Sequence, residues 1–273
     1  SMCNLFLSLD PPGSKYALVV LSNRDEAIAR PTAEAAWRDG ILSGIDLQDP
    51  LNGTWFGIDV KGKIGVLLSI TQLKEDKKTI SGAIVKGFLN SDQTGVAYCD
   101  SLVPSASEYN GFTFVAIDRP MGDYSMHSFT NALVEDLETK HWTKGTHVVG
   151  NCPPHTTYRK MERGKGLLDD VLSGIGEETT PEEIAESLFE IGRDRVQCWP
   201  DEQLASQVNK IYGSALSSIF IRFGDPSLYG TRCQTALIID KDGHVFLRER
   251  RLLSIDNVGK EKWESSDFTF TVP

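Results

Sequence analysis

Two apolar runs open the chain. Cys3–Leu9 stops at Asp10-Pro11-Pro12-Gly13, and Tyr16–Leu21 stops at Ser22-Asn23. Both runs are nearly continuous in apolar residues, which is the signature of strands covered on both faces. This restricts the fold to a layered architecture in which sheets are sandwiched by other elements. The loop Asp10–Lys15 is short enough to let the two runs pair antiparallel.

The rest of the chain repeats the theme. Thr54–Val60 and Ile64–Ile70 flank Lys61-Gly62-Lys63 as a hairpin. After the charged loop Lys74–Lys78, Ser81–Leu89 places Ile84, Val85, Phe88 and Leu89 near helical spacing, and Gly95–Leu102 repeats this more weakly. Phe112–Ile117, Asp123–Phe129 and Thr146–Val149 read as strands. A helix follows over Tyr158–Leu172. The next starts at Thr180-Pro181-Glu182-Glu183, where Thr180 suits the N-cap, Pro181 the first turn and Glu183 a capping box. Ala236–Ile239 and His244–Arg250 flank Asp240-Lys241-Asp242-Gly243 as a second hairpin, and Phe268–Val272 is a last strand. No repeat or linker interrupts the order strands, helices, strands, helices, strands. One α+β domain over residues 1–273 is expected, with Ser1 read as a remnant of recombinant expression.

Bulk properties exclude several roles. The net charge of −10 lacks the basic footprint of a nucleic-acid or anionic-membrane partner. No apolar run is long enough to predict a transmembrane segment. The start has no basic region ahead of its apolar stretch, so no secretory signal is expected. The five cysteines, Cys3, Cys99, Cys152, Cys198 and Cys233, form no Cys-x-x-Cys pair. A disulfide framework and a zinc site are therefore not expected, and a reducing cytosolic compartment is. Phosphate-binding glycine loops and a His-Glu-x-x-His motif are absent. His127, His141, His147, His155 and His244 show no metal-ligand spacing, so no metal is expected.

Four clusters carry potential chemistry. Cys3 follows Met2; removal of that methionine would leave a thiol and a free α-amine on one residue, with ordinary pKa values of about 8.5 and about 7.7–8.0. Asn23-Arg24-Asp25-Glu26 follows the second apolar run, and antiparallel pairing would bring it to the start of the first, beside Cys3. A solvated turn is the alternative. Gly150-Asn151 ends a strand, where the Asn151 amide suits a developing oxyanion or merely a turn. Tyr229-Gly230-Thr231-Arg232 enters a strand, where Arg232 would anchor a carboxylate, orient Asp25 or make a structural ion pair. Trp55 suits core packing or stacking on a ligand. His155, in Pro153-Pro154-His155, is an ordinary loop histidine or, alternatively, an axial heme or metal ligand.

Taken together, Met2-Cys3, Asn23-Arg24-Asp25-Glu26, Asn52-Gly53-Thr54-Trp55-Phe56-Gly57, Gly150-Asn151 and Tyr229-Gly230-Thr231-Arg232 resemble the transport and Golgi organization protein 2 family, also named NRDE after its tetrad. The resemblance runs from Cys3 to the last strand. That family in turn is similar to N-terminal-nucleophile hydrolases, especially conjugated bile-salt and penicillin V acylases. It implies a four-layer αββα sandwich. It carries over Cys3, Arg24, Asp25, Asn151 and Arg232 as the catalytic set; Asn23, Glu26, Trp55, His155 and Tyr229 are candidate ligand-binding neighbours. Arg24 and Asp25 are adjacent here, whereas the acylases separate the corresponding pair. Family members often carry Gly-Gly-Thr-Trp where this chain has Asn52-Gly53, and Cys152-Pro153-Pro154 after Asn151 is unusual.

The resemblance implies an intracellular carrier that mobilises heme, or a related role in acyl-CoA and lipid homeostasis. Heme would be cargo and no cofactor would be required. The cytoplasm, mitochondria and secretory membranes are the implied locations. The alternative is a cysteine amidohydrolase cleaving a small amide.

Overall fold

The structure is a computed structural model that describes residues 2–72, 81–224 and 228–273. The loop Lys74–Lys78 lies outside the described residues. The chain divides into two units: residues 1–29, 144–150 and 156–271, and residues 30–143, 151–155 and 272–273.

The first unit is built on the opening hairpin. β1 (Met2–Leu9) and β2 (Tyr16–Ala27) pair antiparallel, as the short loop predicts. β10 (Gly145–Val149) flanks β1, and β12 (Tyr229–Asp240) flanks β2. β13 (His244–Ile255) and β14 (Glu261–Thr271) extend the sheet, giving the order β10-β1-β2-β12-β13-β14, with the two-residue β11 (Arg222–Phe223) joining β12. α3 (Arg159–Ser173) and α4 (Pro181–Gly192) cover one face. The capping box at Thr180 and Glu183 forms as expected. Leu5, Leu7, Val19, Val20, Leu237 and Ile239 are each at most 1 % exposed, so both faces of the central strands are buried. α5 (Glu202–Gln207) and α6 (Lys210–Leu216) follow α4, each with an Asx N-cap, Asp201 and Asn209.

The second unit is an antiparallel meander of β3 (Thr32–Arg38), β4 (Ile41–Asp46), β5 (Phe56–Asp59), β6 (Ile64–Ser69), β7 (Phe112–Asp118), β8 (Ser125–Thr130) and β9 (Thr139–Trp142). α1 (Ala83–Asn90) and α2 (Gly95–Ser101) pack on it. Ile84, Val85, Phe88 and Leu89 enter a core with Phe112, Phe114 and Phe129, as the helical spacing predicts. Gly65 lets α1 approach, since a Cβ there would sit 3.0 Å from a Val85 methyl.

Each unit is a helix layer on an antiparallel sheet. The chain thus supplies the two helix layers and two sheet layers of the expected α+β, αββα class. No helix among the described residues is long and apolar enough to cross a membrane.

Candidate active site

The tetrad Asn23-Arg24-Asp25-Glu26 lies inside β2, not in a turn beyond it. Asn23, Arg24 and Asp25 are all buried, at 0 %, 4 % and 0 % exposure. Four polar residues can continue a buried strand only because each finds partners, and alternation divides them between two faces.

Cys3 and Arg24 share one face. They are direct cross-strand partners, and Cys233 of β12 pairs with Arg24 from the other side. Arg24 therefore separates two buried thiols in one row across β1, β2 and β12. The Cys233 thiol lies 3.5 Å from Glu249 Oε2, and burial together with that carboxylate raises its pKa well above the usual thiol range.

Asp25 lies on the opposite face, with the helices. It pairs with Met2 on β1 and with Thr231 on β12. Its Oδ1 accepts a hydrogen bond of 2.6 Å from the Thr231 hydroxyl, while Oδ2 is buried without a hydrogen-bond donor. Burial pushes its pKa up to about 7, against the opposing charge of Lys160. Adjacent residues of a strand cannot flank one side chain from the same face, so Arg24 and Asp25 act on opposite sides of the Met2-Cys3 segment.

Asn23 shares the helix-facing side. Its Nδ2 donates to the Gly192 carbonyl at 2.9 Å, and its Oδ1 accepts from Gln234 Nε2 at 3.1 Å, tying β2 to the end of α4. Glu26 is half-buried, and its Oε1 accepts from the Ala27 amide. Tyr229 donates to the Asp25 backbone carbonyl at 3.2 Å and takes a hydrogen bond from the Met2 backbone. Arg232 occupies a register shift between Thr231 and Cys233, and its Nη1 donates to the carbonyls of Ala27 and Ile28 at 2.8 and 3.0 Å. It thus ties down the chain leaving β2.

Asn151, Trp55 and His155 belong to the second unit. Asn151 is fully buried; its Nδ2 donates to the Ser69 carbonyl at 2.6 Å and its own carbonyl accepts from the Thr71 amide. Trp55 packs on β4, its ring 2.8 Å from where a Cβ on Gly44 would lie. Asn52 adopts φ 48°, a conformation open to Asn as well as to the Gly of other family patterns, so that departure leaves the turn intact. Asp49 Oδ2 accepts from the Gly53 amide there. His155 is exposed on a groove of about 720 Å³ lined also by Lys140, His141 and Glu138. The spacing of histidines in sequence hides one pairing: β8 and β9 set His127 opposite His141, with ring nitrogens 3.1 Å apart.

Sequence reasoning missed Lys160. It is 1 % exposed, and Nζ donates to the carbonyls of Leu216 and Ser218 at 3.0 and 3.2 Å. Burial pushes its pKa down to about 8, with Asp25 opposing the shift. The one signal was its position four and eight residues before Gly164 and Leu168, on the buried stripe of α3.

The profile of one protein family, described as Transport and Golgi organisation 2, matches residues 2–254. The Transport and Golgi organization protein 2 homolog of Bos taurus is 30% identical over 282 residues, covering 98% of this chain and 99% of that one. The homolog of Mus musculus is 29% identical, covering 99% of each. Among solved structures, a conjugated bile acid hydrolase from Clostridium perfringens aligns over 100% of this chain and 98% of its own at 9% identity, with a TM-score of 0.48.

Proposed function

We propose, for a chain that belongs to the Transport and Golgi organisation 2 family, that Cys3 is the nucleophile of an N-terminal-nucleophile hydrolase acting on a small amide. The carrying observation is the register of Met2 against Asp25. A buried carboxylate with an oxygen lacking a donor lies beside the residue whose removal would expose the Cys3 amine. Met2 is itself 3 % exposed, so its loss would also vacate a side-chain-sized space at that point. A buried, perturbed carboxylate next to a candidate nucleophile supports chemistry more than passive binding.

In this reading Cys3 Sγ attacks the substrate carbonyl carbon and its proton passes to the α-amine. Collapse breaks the C–N bond, and the proton leaves with the departing amine. Water then hydrolyses the thioester and restores the thiol. Asp25 holds the α-amine from the helix side; Arg24 flanks the thiol on the other.

The test is the mass of the protein isolated from its own cells, followed by an amide-cleavage screen. Protein lacking Met2 is expected to turn over, and both the Met2-bearing form and Cys3→Ala to give no product above background. Native protein that retains Met2 overturns the mechanism.

A second reading, a carrier for heme or an acyl-bearing lipid, is favoured by one feature. Tyr212, Phe223 and Tyr229 form a row of rings with centroids 5.8 and 5.4 Å apart. It runs from the surface, where Ile211 is 81 % and Leu228 61 % exposed, to the backbone of Asp25. Such a row suits a flat or apolar ligand. Titration of heme and of acyl-CoA decides it; absence of saturable binding at micromolar concentration would sink the carrier.

A further inference from the structure

We propose that Lys160 is a positioning residue of the Cys3 site: its ammonium, sealed beneath β1 and β2, holds the Asp25 carboxylate in its charged form. The consequence for catalysis rests on the hydrolase reading above; the coupling itself does not.

The placement follows from packing. α3 crosses β1 at Gly164, where the Phe6 ring leaves no room for a Cβ. Lys160 lies one turn earlier on the same stripe, and side chains of a helix lean toward its N-terminus. On the strand, Phe6 and Asn4 share the helix-facing side. Lys160 and Asn4 then grip neighbouring carbonyls: Nζ takes those of Leu216 and Ser218, and Asn4 Nδ2 that of Ile219 at 3.1 Å. Asn4 stands opposite Asn23, and Asp25 is the next residue of β2 on that side.

The polar inventory of this buried space is unbalanced. Asp25 Oδ2 and Asn4 Oδ1 are buried acceptors without a donor. An ammonium has three donors, and two carbonyls engage two of them. Its neighbours Met161 and Leu168 show that the stripe accepts apolar residues. A lysine there is costly unless its charge is used.

The charged groups facing each partner are few. Asp25 from β2 and Asp201 and Cys198 before α5 lie around Lys160, and the Cys3 thiol acts on it from the far face of β1. Lys160 from α3, the Thr231 hydroxyl and Tyr229 from β12, the terminal amine and Arg222 from β11 act on Asp25. Each of the two opposes the other's burial: without Lys160 the Asp25 carboxyl would keep its proton to higher pH, and a neutral carboxyl cannot hold an amine by charge.

Two measurements test this. The first is a double-mutant cycle of K160M and D25N by chemical denaturation at pH 7.5 and pH 5. At pH 7.5 K160M is expected to lower the folding equilibrium constant about tenfold more in the wild-type background than in D25N. At pH 5, with Asp25 protonated, that ratio should fall toward one. Equal ratios at the two pH values overturn the proposal. The second needs no Lys160 variant: in lysine-labelled protein, the Lys160 NMR resonance should titrate about one pH unit lower in D25N than in wild type. An unmoved titration overturns it as well. Neither readout uses turnover, so coupling in protein without turnover leaves Lys160's role standing and removes the hydrolase reading alone.

Discussion

Asp25→Asn is expected to make the protein more stable at pH 8 and, on the hydrolase reading proposed above, to lower turnover sharply. The carboxyl is fully buried, and its pKa moves from the usual 3.8 to about 7. A raised carboxyl pKa means that the folded state binds a proton the unfolded state has released. The associated stability is complete below about pH 4 and is lost as pH rises to about 7. At about 1.4 kcal/mol per pH unit, the displacement corresponds to up to about 4 kcal/mol. The amide has nearly the shape of the neutral acid and keeps an oxygen for the 2.6 Å hydrogen bond from Thr231. Urea denaturation should therefore show wild type and variant close at pH 4 and the variant ahead by about 2–4 kcal/mol at pH 8. Turnover should fall by more than about a hundredfold, since an amide cannot hold the α-amine by charge. A variant less stable than wild type at pH 8 would show that Asp25 is a structural partner and not a functional strain. Stability given up at a site is the expected mark of function.

The fold was legible where apolar residues run together. β1, β7 and the helix begun by Thr180 follow from apolar runs and a capping box and lie where the sequence places them, and β2 starts where its apolar run starts but continues past Leu21 to Ala27. Two of the missed strands, β3 and β9, have no such run. β3 reads Thr-Ala-Glu-Ala-Ala-Trp-Arg, and alanine and glutamate favour a helix in isolation. β9 is a four-residue polar strand, Thr-Lys-His-Trp, at the edge of its sheet. α5 and α6 have only six and seven residues, too short for periodicity to show. The tetrad was misplaced for a different reason. Four polar residues read as a strand's end, yet Gly192 and Gln234 engage Asn23, and Thr231 engages Asp25, from distant segments.

The same division runs through the site. That Cys3 meets Arg24 could be read from a hairpin, because pairing across a short loop is local. That the Lys160 charge acts on Asp25 depends on how α3 crosses β1, which no local pattern encodes. The family pattern names Arg24 and Asp25 together; only strand alternation shows that they work from opposite faces.

The crossing of α3 over β1 sets up the last large effect. Gly164→Val is expected to destabilise the protein by about 3 kcal/mol or more. A Cβ at Gly164 would lie 2.2 Å from Phe6 Cε1, 2.7 Å from Cζ and 3.0 Å from Ile219 Cδ1. Phe6 is fully buried in the middle of a paired strand, so its ring has nowhere to go without moving β1. Overpacking of this kind costs about 1–3 kcal/mol for a small addition, and valine adds two further carbons and a stiff branch. Gly166, two residues on in the same helix, has nothing within 4 Å of its would-be Cβ. Gly166→Ala should therefore stabilise by about 0.5–1 kcal/mol, the ordinary gain of replacing a helical glycine. Denaturation of the two variants side by side separates packing from propensity: a loss confined to Gly164→Val supports the close crossing, and a variant within about 0.5 kcal/mol of wild type refutes it. Cys3 lies three residues before Phe6 on β1, and Lys160 one turn before Gly164 on α3. A strand and helix pushed apart there would draw Lys160 from Asp25 and shift Cys3 together. The Gly164→Val protein that does fold should accordingly lose much of the Asp25–Lys160 coupling, whereas Gly166→Ala should keep it whole.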